Sequence, residues 1–320
     1  MTNQNSNDSV SVHALDPGDA QFVARMRDMA APSKGVSRGV EGRGQFDALM
    51  ASVLAPSNVT IEADTIRGVP GTWVRPANAL PGCALLHLHG GWFNFGSAAA
   101  FTHLVGQIAV RIHAAAFIPD YRLAPEHPFP AATQDVWACF QGLAQKGYRW
   151  IVLTGDSAGG NLALGLAARS VTAGGLTDVK PAGVAVFSPV TDLTLSGETY
   201  ETRADADPLF TRAQVAQLAQ SYLRDADPNS ALASPLAGPV AGLPPIRVHV
   251  GDDEVLLDDS RRYVAKAINA GVDAKLDVWM GMPHGFIARV GTLNAADQAM
   301  DAVGIFLAQL KSPEAPHRRR

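Results

Sequence analysis

A single serine stands among small residues in the stretch GDSAG, with Ser157 at its centre. The apolar run WIVL precedes this stretch and a helix-like run follows it. The pattern is G-x-S-x-G, in which serine occupies a strained turn between a strand and a helix, and small neighbours are needed because side chains would clash there. The hydroxyl then projects above the sheet, beside a helix N-terminus that favours negative charge. The stretch therefore indicates a nucleophilic serine, and a structural turn is the alternative interpretation.

Two other glycine-rich junctions between a strand and a helix fit the stretch poorly. A dinucleotide-binding fingerprint begins with G-x-G, but the residue two positions after Gly155 is Ser157. A phosphate-binding P-loop ends in lysine followed by serine or threonine, and the corresponding stretch GGNL contains no lysine. Neither kind of nucleotide site is predicted.

A nucleophilic serine in this setting needs amide donors for an oxyanion, a histidine base late in the chain, and an acid between the serine and the histidine. Gly90 and Gly91 follow an apolar run, and glycines let backbone amides face a substrate oxygen without an intervening side chain. Carboxylates cluster in residues 249–260, and His284 lies in the stretch GMPHGF. Serine, acid and histidine thus occur in the required order, each just after a predicted strand. Their agreement predicts nucleophilic catalysis at Ser157.

The elements that must position these residues alternate along the chain from about residue 57 onward. Short, nearly continuous apolar runs alternate with helix-like segments, which indicates a mostly parallel sheet covered by helices on both faces. The eight predicted strands are VTIEA, GTWVRP, CALLHLH, AAAFIP, WIVLTG, AGVAVFSP, IRVHVG and KLDVWM. The predicted helices between and after them lie near 101–113, 131–145, 159–174, 211–223, 259–270 and 295–310.

Two regions do not fit this alternation. Residues 12–55 are helix-like and precede the first strand predicted for the core. Residues 190–238 are far longer than a usual connection between a strand and a helix. Long excursions at the carboxyl ends of strands often form lids over a site, so we expect a lid.

Four stretches resemble the hormone-sensitive-lipase-like group of α/β-hydrolases, also called family IV esterases: HGGWFNFGS, DYRLAPEHPFPAA, GDSAGGN and GMPHGF. The resemblance covers about residues 80–310. It implies an α/β fold, with an eight-stranded, mostly parallel α/β-hydrolase core and a helical cap, and serine-dependent hydrolysis of carboxylic esters. The implied domains are a disordered tail and cap helices in 1–55, a core in 56–189 and 239–312, a cap insertion in 190–238 after strand six, and a C-terminal tail in 313–320.

The resemblance also implies roles for the site residues. Ser157 would be the nucleophile and His284 the base. The family's acidic pattern D-P-L-x-D aligns with the stretch EVLLD, which puts Glu254 at the position of the acid. Glutamate thus stands where aspartate is usual, and Asp253 and Asp258 are rival acids.

The oxyanion hole is implied by the stretch HGGW, which includes Gly90. The family usually has H-G-G-G here, and Trp92 replaces the third glycine. The backbone amides of Gly91, Trp92 and Ala158 align with the family's donors, and an amide survives a change of side chain. The indole of Trp92 either shapes the acyl pocket or packs beneath the cap.

Short- to medium-chain esters are the expected substrates, because a cap limits the depth of the acyl site. A lactonase, an amidase or a thioesterase using the same residues is the alternative. A non-catalytic homologue that binds a small molecule is a further alternative, which the presence of His284 disfavours.

The composition of the 320-residue chain, 47% hydrophobic and 18% charged, indicates a soluble globular protein. A formal net charge of −4 disfavours nucleic acid or an anionic membrane as a partner. The chain has no apolar run approaching the ~18 residues of a membrane span and no signal-peptide pattern, and its two cysteines fit a reducing cytoplasm. Neither a metal nor a cofactor is expected, since no histidine pair has a metal-ligand context, and a homodimer is left open. The first dozen residues are polar, so we expect disorder there.

Overall fold

Nearly continuous apolar runs form the strands of the central sheet, as predicted. A computed structural model of the chain describes residues 9–36, 38–172 and 179–310, and within them nine strands form one sheet. All eight strands predicted from the sequence are confirmed, and one further strand precedes them. The strands are β1 (Val10–His13), β2 (Val59–Ile66), β3 (Val69–Pro76), β4 (Cys83–Leu88), β5 (Ala115–Pro119), β6 (Trp150–Asp156), β7 (Gly183–Phe187), β8 (Ile246–Gly251) and β9 (Ala274–Trp279).

The sheet has the order β1-β9-β8-β7-β6-β4-β5-β3-β2. Neighbouring strands are parallel except at the pairs β2–β3 and β3–β5, which are antiparallel. Because β4, β6, β7, β8 and β9 all run in one direction, their carboxyl ends meet at the same edge of the sheet. The loops that carry the predicted site residues all start at this edge.

The six helices predicted from the sequence are confirmed, and their ends shift by at most two residues, except that the end predicted at residue 174 lies outside the described residues. The described part of residues 12–55 contains two α-helices, and residues 190–238 contain two more. The α-helices are α1 (Pro17–Ala30), α2 (Arg43–Ala51), α3 (Thr102–Ile112), α4 (Ala131–Gln145), α5 (Ala158–Thr172), α6 (Thr199–Thr202), α7 (Arg212–Leu223), α8 (Leu257–Asn269) and α9 (Asn294–Gln309).

Successive side chains of a central strand enter two different hydrophobic cores. In β4, Leu86 and Leu88 belong to the core on one face of the sheet, whereas Leu85 belongs to the core on the other face. Successive side chains of a strand point to opposite faces, and both faces here are covered. This is why the strand has no alternation of polar and apolar residues.

The prediction of disorder for the first dozen residues is wrong for Val10 to Val12, because they belong to β1. This strand pairs in parallel with β9, from Val10 beside Leu276 to His13 beside Trp279. It supplies partners to backbone groups that would otherwise form an open sheet edge. The imidazole of His13 stacks on the indole of Trp279, with ring centroids 3.9 Å apart.

Asp19 in α1 anchors the N-terminal segment a second time. Its carboxylate is 2% exposed and accepts hydrogen bonds from the backbone N–H groups of Asn294, at 2.8 Å, and Ala295, at 2.9 Å. It therefore caps the first turn of α9 from a distant part of the chain. The disorder expected for residues 1–8 and the C-terminal tail expected in 313–320 lie outside the described residues.

Candidate active site

Ser157 occupies the turn between β6 and α5 with a backbone φ of +55°, a conformation that is uncommon outside glycine. Its N–H donates to the carbonyl oxygen of Phe187 at 2.8 Å, which fixes the turn against β7. A Cβ on Gly159 would lie 1.8 Å from the carbonyl oxygen of Leu88, and a Cβ on Gly155 would lie 2.3 Å from the carbonyl oxygen of Gly159. The small residues around the serine are thus required by the close approach of the backbone.

The hydroxyl of Ser157 is buried at this turn. The residue is 3% exposed, and among the described residues its Oγ has no hydrogen-bond partner. The structure therefore does not join Ser157 Oγ to His284 by a hydrogen bond. Such catalytic bonds commonly tighten only when substrate binds.

Glu254 and His284 come together from the loops after β8 and β9. Oε2 of Glu254 lies 2.8 Å from Nδ1 of His284. The other carboxylate oxygen accepts hydrogen bonds from the N–H of Gly251, at 2.7 Å, and from Oγ of Ser188, at 2.6 Å. Glu254 is fully buried, so its carboxylate has protein partners in place of water, and these partners fix its orientation.

The charge around His284 favours its protonated form. Burial alone lowers the pKa of an imidazole, but the carboxylate of Glu254, its hydrogen bond, and the negative charges of Asp207 and Asp156 outweigh burial, so the pKa of His284 is raised above its ordinary value. A carboxylate oxygen accepts, so the N–H at Nδ1 of His284 donates the hydrogen bond to Oε2 of Glu254. Nε2 is then the nitrogen that can accept a proton.

The two rival acids have other partners. Asp253 forms an ion pair with Arg27 of α1. Asp258 lies in the first turn of α8, where its carboxylate accepts from the N–H of Glu198 at 3.3 Å and lies 3.6 Å from the guanidinium of Arg262. Of the three candidate acids, the structure brings Glu254 to His284.

The loop after β4 carries the predicted oxyanion donors, and its backbone N–H groups differ in their engagement. The N–H of Gly90 donates to the carboxylate of Asp156 at 3.0 Å. Gly91 has a φ of +115°. Across the part of the chain that the structure describes, the N–H groups of Gly91, Trp92 and Ala158 have no protein acceptor. Those three amides are available to an oxygen of a substrate, and the amide of Gly90 instead anchors the loop to the serine turn.

Two buried histidines hold this loop in place. Nδ1 of His87 lies 2.8 Å from Oγ1 of Thr154 in β6. His89 stacks on Tyr121, with ring centroids 4.2 Å apart, and the Tyr121 hydroxyl donates to the carbonyl oxygen of His89 at 2.8 Å. Burial lowers the pKa of His89 to about 4, so the ring is neutral at neutral pH. The two side chains position the loop through hydrogen bonds and stacking.

Trp92 packs against the insertion in residues 190–238. Its φ is +52° and it is 3% exposed. The indole lies edge-on to the ring of Phe210, with centroids 5.8 Å apart, and Phe210 in turn lies edge-on to the imidazole of His284 at 5.1 Å. The indole of Trp92 therefore packs against the insertion, and its place beside Phe210 and His284 is compatible with both interpretations of this side chain. The aromatic pair also brings this insertion directly to His284.

Sequence reasoning missed two polar residues of the site, Ser188 and Asp207. Ser188 directly follows β7, the strand beside β8, and a polar residue at that strand end was the available signal. Asp207 is fully buried and accepts the N–H of Val255 at 2.9 Å. It lies in the acid-rich stretch RADADPLF of the insertion, where nothing in the sequence distinguishes it from its acidic neighbours.

Within residues 9–36, 38–172 and 179–310, no group of three or more His, Cys, Asp and Glu side chains is arranged to hold a metal ion. In the same residues, no helix has both the length and the apolar character needed to span a bilayer.

Comparison with known proteins identifies the family. Residues 85–288 match a family model described as the alpha/beta hydrolase fold. An acetyl-hydrolase of Streptomyces hygroscopicus is 35% identical over 76% of this chain and 81% of its own length. LipF of Mycobacterium tuberculosis, a carboxylesterase/phospholipase, is 32% identical over 78% of this chain and 68% of its own length.

A solved structure extends the likeness to nearly the whole chain. An esterase from the bacterial hormone-sensitive lipase family has a TM-score of 0.85 and 33% identity, covering 93% of this chain and 99% of its own. The family, fold class and ester hydrolysis predicted from the sequence are therefore confirmed. The chain belongs to the hormone-sensitive-lipase-like esterases of the α/β-hydrolase fold, and it is a carboxylesterase.

Proposed function

We propose that Ser157, Glu254 and His284 form the catalytic triad of this carboxylesterase. The observation that carries the proposal is the 2.8 Å contact between Nδ1 of His284 and Oε2 of Glu254, at the sheet edge where Ser157 occupies its strained turn. When the imidazole is neutral and its Nδ1–H bonds to the buried carboxylate, Nε2 is the unprotonated nitrogen, and this is the form that takes a proton from a serine hydroxyl.

The reaction would proceed through an acyl-enzyme. His284 takes the proton of Ser157 while Oγ bonds to the ester carbonyl carbon, and the carbonyl electron pair moves to its oxygen. Collapse of this intermediate breaks the bond to the alcohol oxygen, which leaves with the proton from His284. Water then attacks the acyl carbon with His284 again as base, releasing the acid and restoring Ser157. Glu254 stabilises the imidazolium of His284 that forms during both acylation and deacylation.

The amides of Gly91, Trp92 and Ala158 would hold the oxyanion. Among the described residues their N–H groups have no protein acceptor, and Ala158 begins the helix α5 that follows Ser157. Loss of a single oxyanion donor typically costs ~10²–10³ in rate. Gly90 has a supporting role, because its N–H already donates to Asp156.

We place a cap over this site, formed by α1 and α2 together with residues 190–238. The contact of Phe210 with both Trp92 and His284 supports this placement. A cap held this close by aromatic side chains favours acyl chains of limited length, roughly C2 to C8. The likeness to an acetyl-hydrolase agrees with this range.

A substrate panel and a serine variant test the proposal together. Purified protein should hydrolyse p-nitrophenyl esters, with highest kcat/KM between acetate and octanoate, and should turn over a matched lactone, anilide and thioester more slowly. A fluorophosphonate should label Ser157 covalently, and Ser157→Ala should abolish both labelling and turnover without changing the thermal unfolding midpoint. Turnover of esters by Ser157→Ala would refute the triad. A faster reaction with the lactone, anilide or thioester would reassign the substrate class.

A further inference from the structure

One arginine of the N-terminal helix joins three loops of the active-site edge. The guanidinium of Arg27 forms an ion pair with Asp253. It also donates to the carbonyl oxygen of Ala206 at 2.6 Å and to that of Gly281 at 3.5 Å. The partners lie 226, 179 and 254 residues away along the chain, so this contact connects segments that have no local reason to stay together.

Each of the three loops carries either His284 itself or a carboxylate that acts on it. Asp253 directly precedes Glu254, whose carboxylate bonds to Nδ1 of His284. Ala206 directly precedes Asp207, whose buried negative charge raises the pKa of His284. Arg27 therefore contacts the immediate chain neighbours of Glu254 and Asp207, two of the three carboxylates that raise the pKa of His284. The third loop, at Gly281, carries His284 itself.

The loops after β8 and β9 are joined by hydrogen bonds, and their backbones lie close together. The N–H of Gly281 donates to Asp252, and the N–H of Asp253 donates to the carbonyl oxygen of Met282 at 3.3 Å. A Cβ on Gly251 would lie 2.0 Å from that same carbonyl oxygen. A shift of either loop would thus change the distance between the glutamate and the histidine, and catalytic groups function only within about 0.5 Å of their productive geometry.

We propose that Arg27 is a positioning residue for the Glu254–His284 pair, acting through Asp253 and the carbonyl oxygens of Ala206 and Gly281. The inference rests on the proposed triad and adds a role for α1, which would align the catalytic groups as well as cover them. Arg27 makes no contact with the reacting atoms, so its effect should fall on kcat and leave KM nearly unchanged.

The competing interpretation is an ordinary ion pair near the surface. The side chains of Arg27 and Asp253 are 29% and 20% exposed, and pairs of this kind often contribute little to stability. The two interpretations differ in what they predict for the chemical step. If the Arg27–Asp253 pair is an ordinary surface pair, its removal leaves kcat unchanged. If the pair positions the catalytic groups, its removal lowers kcat.

The experiment compares four variants with the wild type on p-nitrophenyl butyrate. Arg27→Met should lower kcat about tenfold with KM within about twofold, because misplacement of catalytic groups acts on the transition state. Arg27→Lys keeps the charge and should recover part of the loss. Asp253→Asn, which is nearly isosteric, should lower kcat by a smaller factor. The double variant Arg27→Met/Asp253→Asn should be no worse than Arg27→Met, because the two residues act as one unit.

The matched control is Arg25→Met, on the same helix at an exposed position, which should keep wild-type kcat and the same thermal unfolding midpoint. Wild-type kcat in both Arg27→Met and Asp253→Asn would overturn the inference. An equal loss in Arg25→Met, or no recovery in Arg27→Lys, would also overturn it. Failure of the triad itself gives a different result, since the wild type would then resist the fluorophosphonate whatever residue stands at position 27.

Discussion

Glu254 and His284 face each other from two loops, with Oε2 and Nδ1 2.8 Å apart. The glutamate is one methylene longer than the aspartate usual at this position in the family, and Ser188 and Gly251 hold its second oxygen. The carboxylate is thereby fixed on both sides. Both oxygens of the Glu254 carboxylate are therefore engaged, one by His284 and the other by Ser188 and Gly251.

Replacing the carboxylate of Glu254 by a neutral amide should slow the chemical step. Glu254→Gln keeps the shape but cannot stabilise the imidazolium, so we expect kcat to fall by ~10²–10⁴ with the fold retained. Steady-state kinetics and the thermal unfolding midpoint measure the two effects. Asp258→Asn serves as the matched control, because its carboxylate bonds to Glu198 and Arg262 and its loss should leave kcat near the wild-type value. Abolished turnover in Asp258→Asn, with Glu254→Gln active, would show that the acid is misassigned.

The pH dependence of kcat/KM should report the raised pKa of His284. The base must be neutral to take the proton of Ser157, so activity rises as pH increases through that pKa, and the inflection should lie above the ordinary value of about 6.5. In Glu254→Gln the main raising charge is gone while burial and the charges of Asp207 and Asp156 remain. The residual activity should therefore inflect at lower pH. A profile that moves to higher pH in this variant contradicts the electrostatic account.

Trp92 should limit the size of the acyl group. Its indole packs on Phe210 beside His284, so Trp92→Gly opens space at the site and also relieves the strain of a positive φ. We expect the ratio of kcat/KM for p-nitrophenyl octanoate to that for acetate to rise about tenfold. Trp92→Phe is the control, since it keeps an aromatic ring and should change the ratio less. An unchanged ratio in Trp92→Gly would mean that the indole does not border the acyl site.

Asp19 should contribute to stability and not to catalysis. Asp19→Ala leaves the N–H groups of Asn294 and Ala295 without their acceptor, and we expect the free energy of unfolding to fall by about 1–3 kcal/mol at unchanged kcat. Chemical denaturation and initial rates measure this. Asp16→Ala removes the exposed N-cap of α1 and should cost about 1 kcal/mol or less. Equal costs in the two variants would argue against a special role for Asp19.

The sequence by itself predicted a nucleophilic role for Ser157 and determined the order of the strands and helices in the core. The serine turn is a local structure, and its need for small residues is visible within five positions, where a Cβ on Gly155 or Gly159 would meet backbone atoms. The apolar runs follow from burial of the central strands on both faces of the sheet. They can be recognised in the sequence without knowing which residues pack against them. His284 was likewise recognisable, because it stands just after a strand in the expected order.

The choice among neighbouring carboxylates was a weaker inference from the sequence. Asp253 and Glu254 are adjacent, and only the path of the loop decides that one faces His284 and the other faces Arg27. The alignment favoured the glutamate, but the geometry that supports it comes from Ser188, which is 66 residues away.

Tertiary structure alone decided the contacts between distant segments. Strand β1 forms because β9 offers an unpaired edge, not because four residues of mixed exposure favour a strand. Arg27 meets Asp253 across 226 residues, and Asp207 is buried beside the loop after β8 although its own stretch of sequence looks solvated. A residue's local sequence sets its own backbone preferences. Which distant group it meets depends on how the whole chain packs, and that packing determines the surroundings of His284.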